Sequence, residues 1–233
     1  MKIFKKIFRG NTLYYPGCLT KFVLKDVMEK YKTLLNKKGI DFMMLKDEEL
    51  CCGSPLKNAG MQQEYLETAR KNMALFKAHS IGRIISNCPA CTAVLRKDYQ
   101  ELLKEEWEME VLHISEVLTA EAGAGKKGEV TYHDPCHLGR ALGIYDQPRD
   151  LLCKKGYQIK EMKFCREVAI CCGGGGGIKS NNPELAGRIA KDRIAQARQT
   201  GAPALVTPCP MCYVNLKQNA EGIEVRELSE LLE

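Results

Sequence analysis

The sequence Tyr15-Pro16-Gly17-Cys18 returns 118 residues later as His133-Asp134-Pro135-Cys136. Two further elements return in the same order, at offsets of 120 and 121 residues: Cys51-Cys52-Gly53 as Cys171-Cys172-Gly173, and Asn87-Cys88-Pro89-Ala90-Cys91 as Pro208-Cys209-Pro210-Met211-Cys212. Three elements in one order, with only small insertions between them, indicate an internal duplication. Each copy of the repeat therefore carries five cysteines.

The duplication divides the 233 residues into two halves, each large enough for a small domain. A Gly-rich, charged stretch without hydrophobic periodicity lies between the copies at 121–128 and is predicted to be the linker. We therefore predict a basic amphipathic segment at 1–10, a first cysteine-rich domain at 11–120 and a second at 129–233.

Hydrophobic periodicity alternates between the strand and helix types in both copies. It predicts strands at 12–15, 40–45, 83–86, 130–133, 158–162 and 204–207. The helices are predicted from 22 to a stop at Gly39, at 65–76, from about 91, at 148–155, at 183–200 behind the cap Asn182, and from about 210. This alternation predicts an α/β fold of two similar Rossmann-like parallel-sheet halves related by pseudo-two-fold symmetry.

The three cysteine elements of each copy lie on loops that follow predicted strands. In parallel sheets these loops gather at the carboxyl edge, which is where ligands bind. Cysteines that are far apart along the chain are therefore expected to converge at one site in each half.

Cysteine usage and hydropathy limit the class of protein. In a cytoplasmic chain the 12 cysteines are expected to stay reduced, and a chain of this length needs no disulfides, so metal binding is the favoured interpretation. We predict no membrane-spanning segment and no signal peptide, because apolar runs are short and Lys5 and Lys6 interrupt the first of them. The absence of a zinc finger and of an aromatic stacking array excludes nucleic-acid binding.

The excess of positive charge is concentrated near the amino end. Residues 1–40 contain ten Lys or Arg against Asp26 and Glu29, within a net charge of +6 for the whole chain. Such a segment suits docking to an acidic electron-transfer partner or a membrane surface. A solvated, frayed terminus is the favoured alternative.

The Cys-x-x-Cys pairs and the glycines suit a thiolate-bound metal. Free N–H groups and the dipole at a helix start lower the pKa of a thiol, which favours the metal-binding thiolate. Gly53 and the run 173–177 allow the backbone to pass close to a bulky ligand and direct N–H groups at it. A phosphate loop and a loop without a ligand are the alternatives for the glycine run, which lacks a Gly-Lys-Ser/Thr ending.

Five cysteines per copy exceed the four that one tetrahedral zinc ion or one cubane cluster requires. The fifth either bridges irons in an unusual cluster or stays a reactive thiol beside a conventional one. Adjacent cysteines direct their side chains differently, which suits two irons better than one zinc. The candidate metal and cluster ligands are the ten repeat cysteines Cys18, Cys51, Cys52, Cys88, Cys91, Cys136, Cys171, Cys172, Cys209 and Cys212.

Other polar residues receive lesser roles. His133 and His137 flank Cys136, where an imidazole can protonate a leaving thiolate or donate to a cluster sulfide, although structural hydrogen bonding is favoured. His113 is predicted to be part of the scaffold. Cys153 and Cys165 lie outside the repeat and are predicted to be small buried hydrophobes.

The pattern Cys, Cys-Cys-Gly and Cys-Pro-x-Cys, complete in both copies, resembles the CCG cysteine-rich domain family over about 12–220. The chain resembles the B-type catalytic subunit of heterodisulfide reductase, and similar modules occur in the iron-sulfur subunits of lactate, glycolate and anaerobic glycerol-phosphate dehydrogenases. The resemblance implies that each set of five cysteines ligates a noncubane [4Fe-4S] cluster and that a disulfide is cleaved reductively between the two clusters.

The sequence contains no Cys-x-x-Cys-x-x-Cys ferredoxin module, which many relatives carry. We therefore expect electrons to arrive from a ferredoxin-like iron-sulfur subunit, with a flavoprotein subunit as a second partner and a disulfide or thiol as the small molecule. One alternative is an electron-transfer subunit of a flavoprotein 2-hydroxy acid or glycerol-phosphate dehydrogenase. The other is a scaffold with zinc in one or both sets. In each case membrane association is expected only through partners.

Overall fold

The structure is a computed structural model that describes residues 10–119 and 125–233. Strands and helices alternate along the chain. The strands are β1 (Asn11–Tyr14), β2 (Ile81–Ser86), β3 (Glu110–His113), β4 (Gly128–Tyr132), β5 (Tyr157–Ile159), β6 (Ala204–Thr207) and β7 (Glu224–Glu227).

The helices are short except for three that cover the sheets. Those of the first half are α1 (Cys18–Phe22), α2 (Lys25–Lys37), α3 (Ser54–Asn58), α4 (Gln62–Ala78), α5 (Pro89–Ala93), α6 (Tyr99–Leu103) and α7 (Ile114–Val117). Those of the second half are α8 (Asp146–Lys154), α9 (Ile178–Asn181), α10 (Pro183–Arg198), α11 (Pro210–Gln218) and α12 (Ser229–Leu232). A π-helical segment, Val94–Asp98, joins α5 to α6, and another, His137–Ala141, follows Cys136. No helix in the described ranges is long and apolar enough to cross a bilayer.

The strands form two sheets in which every pairing is parallel. The first sheet has the order β1-β2-β3 and the second has the order β5-β4-β6-β7. In chain order, β1, β2 and β3 take the places that β4, β6 and β7 take in the second sheet. The predicted α/β fold with two Rossmann-like halves is confirmed.

The predicted strand at 40–45 is wrong. This segment makes one bridge, in which Met43 lies opposite Leu13 and its N–H donates to the Thr12 carbonyl over 2.9 Å. The partner strand β1 is only four residues long, and its own register with β2 shifts between Asn11 and Thr12. In the second half β4 is regular, and the equivalent segment forms β5 along its edge.

Three hydrophobic cores hold the chain together. One core belongs to each half, and the third is shared between them. The shared core contains residues of both halves: Tyr14, Tyr31, Leu35, Ile85, Tyr132, Leu152, Val206 and Leu232. Burial of this apolar surface holds the two sheets in a defined relation. Residues 1–9 and 120–124, including most of the basic segment and half of the linker, lie outside the described residues, so the domain boundaries stay a prediction.

Helices α4 and α10 take equivalent places behind the paired-cysteine loops. The α10 helix begins as predicted: the Asn182 side chain accepts from the Leu185 N–H over 3.0 Å and Pro183 takes the first position. The buried positions of the two helices match at an offset of 121 residues: Tyr65 and Ala186, Ala69 and Ala190, Asn72 and Arg193, Phe76 and Ala197. The duplication thus extends from the cysteines to the helix face that supports them.

Candidate metal centres

All ten repeat cysteines line one cavity of about 380 Å³ between the halves. Cys18 and Cys136 follow β1 and β4, and the Cys-x-x-Cys pairs follow β2 and β6 at the starts of α5 and α11. The paired cysteines occupy the loops before α3 and α9. Every cysteine in the chain is a free thiol. The topology therefore brings the ten predicted ligands together at the carboxyl edges of the two sheets.

The five thiols of each half interact with one another in the same order. In the first half hydrogen bonds between sulfurs connect the series Cys18, Cys51, Cys52, Cys91 and Cys88. In the second half they connect the series Cys136, Cys171, Cys172, Cys212 and Cys209. We call these the first and second cysteine sets. Each set is a compact group of soft sulfur donors, which suits iron-sulfur clusters or zinc.

Each set is buried at one end and open at the other. Cys18 and Cys51 are exposed, and Cys136 and Cys171 are half-buried. The buried members are Cys52, Cys91, Cys172, Cys209 and Cys212. A metal held by either set would thus be anchored in the protein and face the shared cavity with its other side.

Thiolates are favoured at Cys51 and Cys88 of the first set and at Cys171 of the second before any metal arrives, because hydrogen bonds lower the pKa of these thiols. Hydrogen bonds from Cys18 and Cys52 lower the pKa of Cys51 to about 2, and those from Cys136 and Cys172 lower the pKa of Cys171 to about 2. The Gly53 N–H also contributes, at 3.5 Å from the Cys51 sulfur. A thiolate is the form that binds metal, so each set has a preformed first ligand.

Glycines bring the backbone close to the sulfurs. Gly17 has φ +75°, and a Cβ there would lie 2.9 Å from the Cys91 sulfur. The N–H groups of Gly173 and Gly174 point at the sulfurs of Cys171 and Cys172, each over 3.4 Å. These close approaches fit a bulky cluster surrounded by N–H donors, as predicted from the glycine positions.

Side-chain amides and a phenol hold the paired-cysteine loops in place, and sequence analysis missed them. Asn72 donates to the Cys51 carbonyl over 2.8 Å, and the Tyr99 hydroxyl donates to the Cys52 carbonyl over 3.1 Å. In the second half Asn215 donates to the Cys172 carbonyl over 2.8 Å. The available signal was a polar residue on the apolar face of a helix, since a buried polar group needs a partner.

The second set has a basic pair, Arg193 and His133, beside it, and the described residues place no such pair beside the first set. Arg193, fully buried on α10, donates from Nε to His133 Nδ1 over 3.0 Å. A ring nitrogen of His133 lies within 4.8 Å of the sulfurs of Cys172 and Cys212. Burial and the neighbouring Arg193 lower the pKa of His133 to about 3, so the imidazole is neutral. The duplication places Tyr15 at the equivalent position, where its hydroxyl donates to the Leu50 carbonyl over 2.6 Å.

The remaining histidines and cysteines named from the sequence differ in whether they lie at the cavity. His137 Nδ1 lies 3.4 Å from the Cys136 sulfur and its ring lines the cavity. His113 accepts from the Ser115 N–H and caps α7, which is the predicted scaffold role. The prediction that Cys153 is buried is wrong: Cys153 is exposed, because α8 turns Leu151 and Leu152 inward and Cys153 outward. Cys165, also predicted to be buried, is only half-buried.

The family model described as CCG, cysteine-rich domain, matches residues 12–96 and 130–217. The chain belongs to the CCG cysteine-rich domain family. It is 35% identical over 227 residues to one of the subunits of the dihydromethanophenazine:CoB–CoM heterodisulfide reductase of Methanosarcina acetivorans, and the match covers 93% of this chain and 56% of that relative. It is also 35% identical over 210 residues to an uncharacterized iron-sulfur protein of Methanocaldococcus jannaschii, with 88% and 41% covered.

These relatives are longer proteins, and this CCG chain spans about half the length of the curated relatives it matches. A crystal structure of a hypothetical protein from Helicobacter pylori shares the fold, with a TM-score of 0.63 at 13% identity over 96% of this chain and 48% of that one. The chain is thus related to iron-sulfur oxidoreductase subunits.

Proposed function

We propose that each cysteine set holds one noncubane [4Fe-4S] cluster and that this CCG-family chain is an oxidoreductase subunit that reduces a disulfide in the shared cavity. The observation that carries the proposal is the opening of both sets onto one cavity of about 380 Å³. The heterodisulfide reductase relative supports the choice of a disulfide as substrate.

The two sets fit such clusters better than they fit zinc. Each offers five sulfurs in contact, one more than a tetrahedral ion requires. Ligands from the first set would be Cys18, Cys51, Cys52, Cys88 and Cys91, and from the second Cys136, Cys171, Cys172, Cys209 and Cys212. When bound, the clusters supply electrons one at a time and iron that accepts a sulfur ligand.

The cavity wall suits a polar disulfide with an anionic group. Pro55, Ala59 and Met211 provide apolar surface, whereas Lys179 and Ser180 provide a cation and a hydroxyl. Reduction of a disulfide takes two electrons and two protons and yields two thiols. The electrons come from a ferredoxin-like partner, itself supplied by a flavoprotein, and His137 beside Cys136 is placed to hold a proton at a leaving thiolate.

The proposal is tested by anaerobic reconstitution of the full chain with iron and sulfide. We expect about eight iron and eight sulfide per chain, four of each per set. The loaded chain should oxidise reduced viologen when a disulfide is added and release two thiols per disulfide. The control is Cys153→Ser, which removes an exposed thiol outside both sets and should change neither the iron content nor the rate.

The alternatives give different results in the same assay. An electron-relay subunit would hold its clusters and cleave no disulfide from a panel of anionic and neutral substrates. A zinc scaffold would stay colourless under anaerobic iron supply and bind zinc instead. Either result would contradict the proposal.

A further inference from the structure

The proton on the buried imidazole of His133 can be assigned from its neighbour. Arg193 donates from Nε to His133 Nδ1 over 3.0 Å. An arginine side chain has only donors, so Nδ1 must be the acceptor. A neutral imidazole carries one N–H, and the proton of His133 therefore resides on Nε2.

This Nε2–H group lacks an ordinary partner. It is buried, and within the described parts of the chain it has no hydrogen-bond acceptor, sulfur included. A ring nitrogen of His133 lies within 4.8 Å of the sulfurs of Cys172 and Cys212. Because buried donors are almost always paired, these sulfurs are the available acceptors. A nitrogen that carries a proton cannot ligate a metal, so His133 is a donor to the second set and not a sixth ligand.

Among residues 10–119 and 125–233, the first set has no equivalent side-chain donor. Tyr15 occupies the matching position, but its hydroxyl donates to the Leu50 carbonyl over 2.6 Å. Asn72 matches Arg193, and its amide donates to the Cys51 and Thr68 carbonyls. In the first half these polar groups support the backbone, whereas in the second half the imidazole of His133 lies beside the sulfurs and Arg193 holds it.

We propose that His133, held by Arg193, is the hydrogen-bond donor to the sulfurs of the second set once a cluster is bound there, and that it makes this set the better electron acceptor of the two. The inference rests on the proposed function, because it concerns clusters held by both sets. Hydrogen bonds to cluster sulfurs and nearby positive charge stabilise the reduced, more negative state and raise the reduction potential. Electrons that enter the chain therefore reside first at the second set. His133 acts through the cysteines and is a positioning residue.

The test is an EPR-monitored redox titration of the reconstituted full chain and its variants. Two double variants, Cys51→Ser with Cys52→Ser and Cys171→Ser with Cys172→Ser, assign each reduction wave to a set. We expect the second set to be reduced at the higher potential. His133→Phe should lower that potential by at least 59 mV, a tenfold change in the ratio of reduced to oxidised cluster. His133→Gln keeps an N–H donor and should restore part of the shift.

The matched control is Tyr15→Phe, which removes the hydroxyl at the equivalent position of the first half. Because this hydroxyl donates to a carbonyl, we expect no shift in either wave. An unchanged second wave in His133→Phe with full iron content would overturn the proposal, as would an equal shift of both waves. If His133→Phe loses the second cluster, the potential of the second wave is measured in His133→Gln and Arg193→Met instead. A lowered second wave then supports the proposal, and an unchanged second wave or an equal shift of both waves overturns it.

The tautomer of His133 is a second readout that needs no cluster. Long-range ¹H–¹⁵N NMR of the reduced full chain should show the proton on Nε2, and a proton on Nδ1 would overturn the proposal. A wild type that takes up no iron refutes the proposed function and the predicted potentials, whereas the NMR result still decides whether Nε2 carries the proton that the donor role of His133 requires. The two failures are therefore distinguishable.

Discussion

At three matched positions around the site, the first half carries a tyrosine or an asparagine where the second carries a histidine or an arginine. The pairs are Tyr15 and His133, Tyr31 and Arg149, and Asn72 and Arg193. All six side chains are buried. The cysteine sets are alike in number, order and contacts, so the halves differ in what surrounds the sulfurs rather than in the sulfurs themselves.

The supporting cores differ in the same way. In the first half aromatic rings fill the space behind the cysteines, with centroids 6.3 Å apart for Tyr15 and Phe76 and 5.1 Å apart for Tyr99 and Trp107. In the second half the matching face of α10 is lined by alanines, and Arg193 fills the room they leave. Two identical ligand sets in unlike surroundings are expected to hold clusters of unlike potential. The duplication thus allows one set to differ in function from the other.

The largest expected effect is the loss of folding stability in Arg149→Met, which is compared with Tyr31→Phe at the matched position. Arg149 donates to both carboxylate oxygens of Asp134, over 2.7 and 2.9 Å, and also to Glu161. Arg149→Met leaves Asp134 buried without its cation, which costs about 3–5 kcal/mol. Tyr31→Phe removes one hydrogen bond to the Glu227 carboxyl, over 2.7 Å, and costs about 1–2 kcal/mol. Urea midpoints measured anaerobically compare the two, and equal losses would show that the second half does not depend on its charges.

The next prediction concerns pH and the caps of the last helix in each half. Glu227 accepts from Ser229 at the start of α12, and burial raises its pKa from 4.5 to about 7. The folded state therefore holds a proton that the unfolded state loses, so this contribution is complete below pH 4.5 and is lost as the pH rises to about 7. Glu227→Gln removes the titration. Its stability relative to the wild type should rise by at most about 3 kcal/mol between pH 4.5 and 7.

The matched control is His113→Asn in the first half, because His113 caps α7 as Glu227 caps α12. Burial lowers the pKa of His113 from 6.5 to about 3, so its contribution to stability grows as the pH rises towards 6.5. The stability of His113→Asn relative to the wild type should therefore fall over that range. Denaturation curves at several pH values measure both variants. Parallel changes in the two would refute this account of the caps.

The smallest effect on stability is expected from Gly17→Ala, which tests how tightly the first set is cradled. Gly17 has φ +75°, so alanine strains the backbone by roughly 1–3 kcal/mol, and its Cβ would meet the Cys91 sulfur at 2.9 Å. We expect lower iron content in the first set and an unchanged second set, where Pro135 takes the matching place. Gly60→Ala is the control, since Gly60 has φ +77° and open space around it. Equal iron loss in both variants would show that backbone strain alone is responsible.

The fold and the convergence of the cysteines follow from sequence because they depend on periodicity and repetition. The repeat offsets of 118 to 121 residues, the alternation of strands and helices and the cap at Asn182 can all be recognised in the sequence itself. The structure contains the duplicated sheets and the Asn182 cap. The prediction for segment 40–45 failed because a strand needs a partner strand, and this segment pairs with β1 only through the bridge of Met43 to Leu13. No local pattern reveals how far such a pairing extends.

The environment of the site was the part that sequence could not supply. Arg193 looks like an ordinary surface residue of a helix until the repeat aligns it with Asn72 on the buried face. Its partner His133 is 60 residues away in sequence, and only the folded chain brings the two together. Cys153 was assigned to the core by residue type, whereas the phase of α8 turns it outward. Polar groups in the core depend on tertiary partners, and the hydrophobic periodicity of a sequence does not reveal which residues those partners are.

The central claim is that two cysteine sets each hold a cluster of their own. It is tested most directly by counting iron and sulfide in the wild type, in the two double variants (Cys51→Ser with Cys52→Ser, and Cys171→Ser with Cys172→Ser) and in the quadruple variant that combines them. We predict that each double variant retains about half of the iron and sulfide and that the quadruple variant retains almost none. Loss of all the iron from either double variant, or full retention in both, would contradict two independent sites.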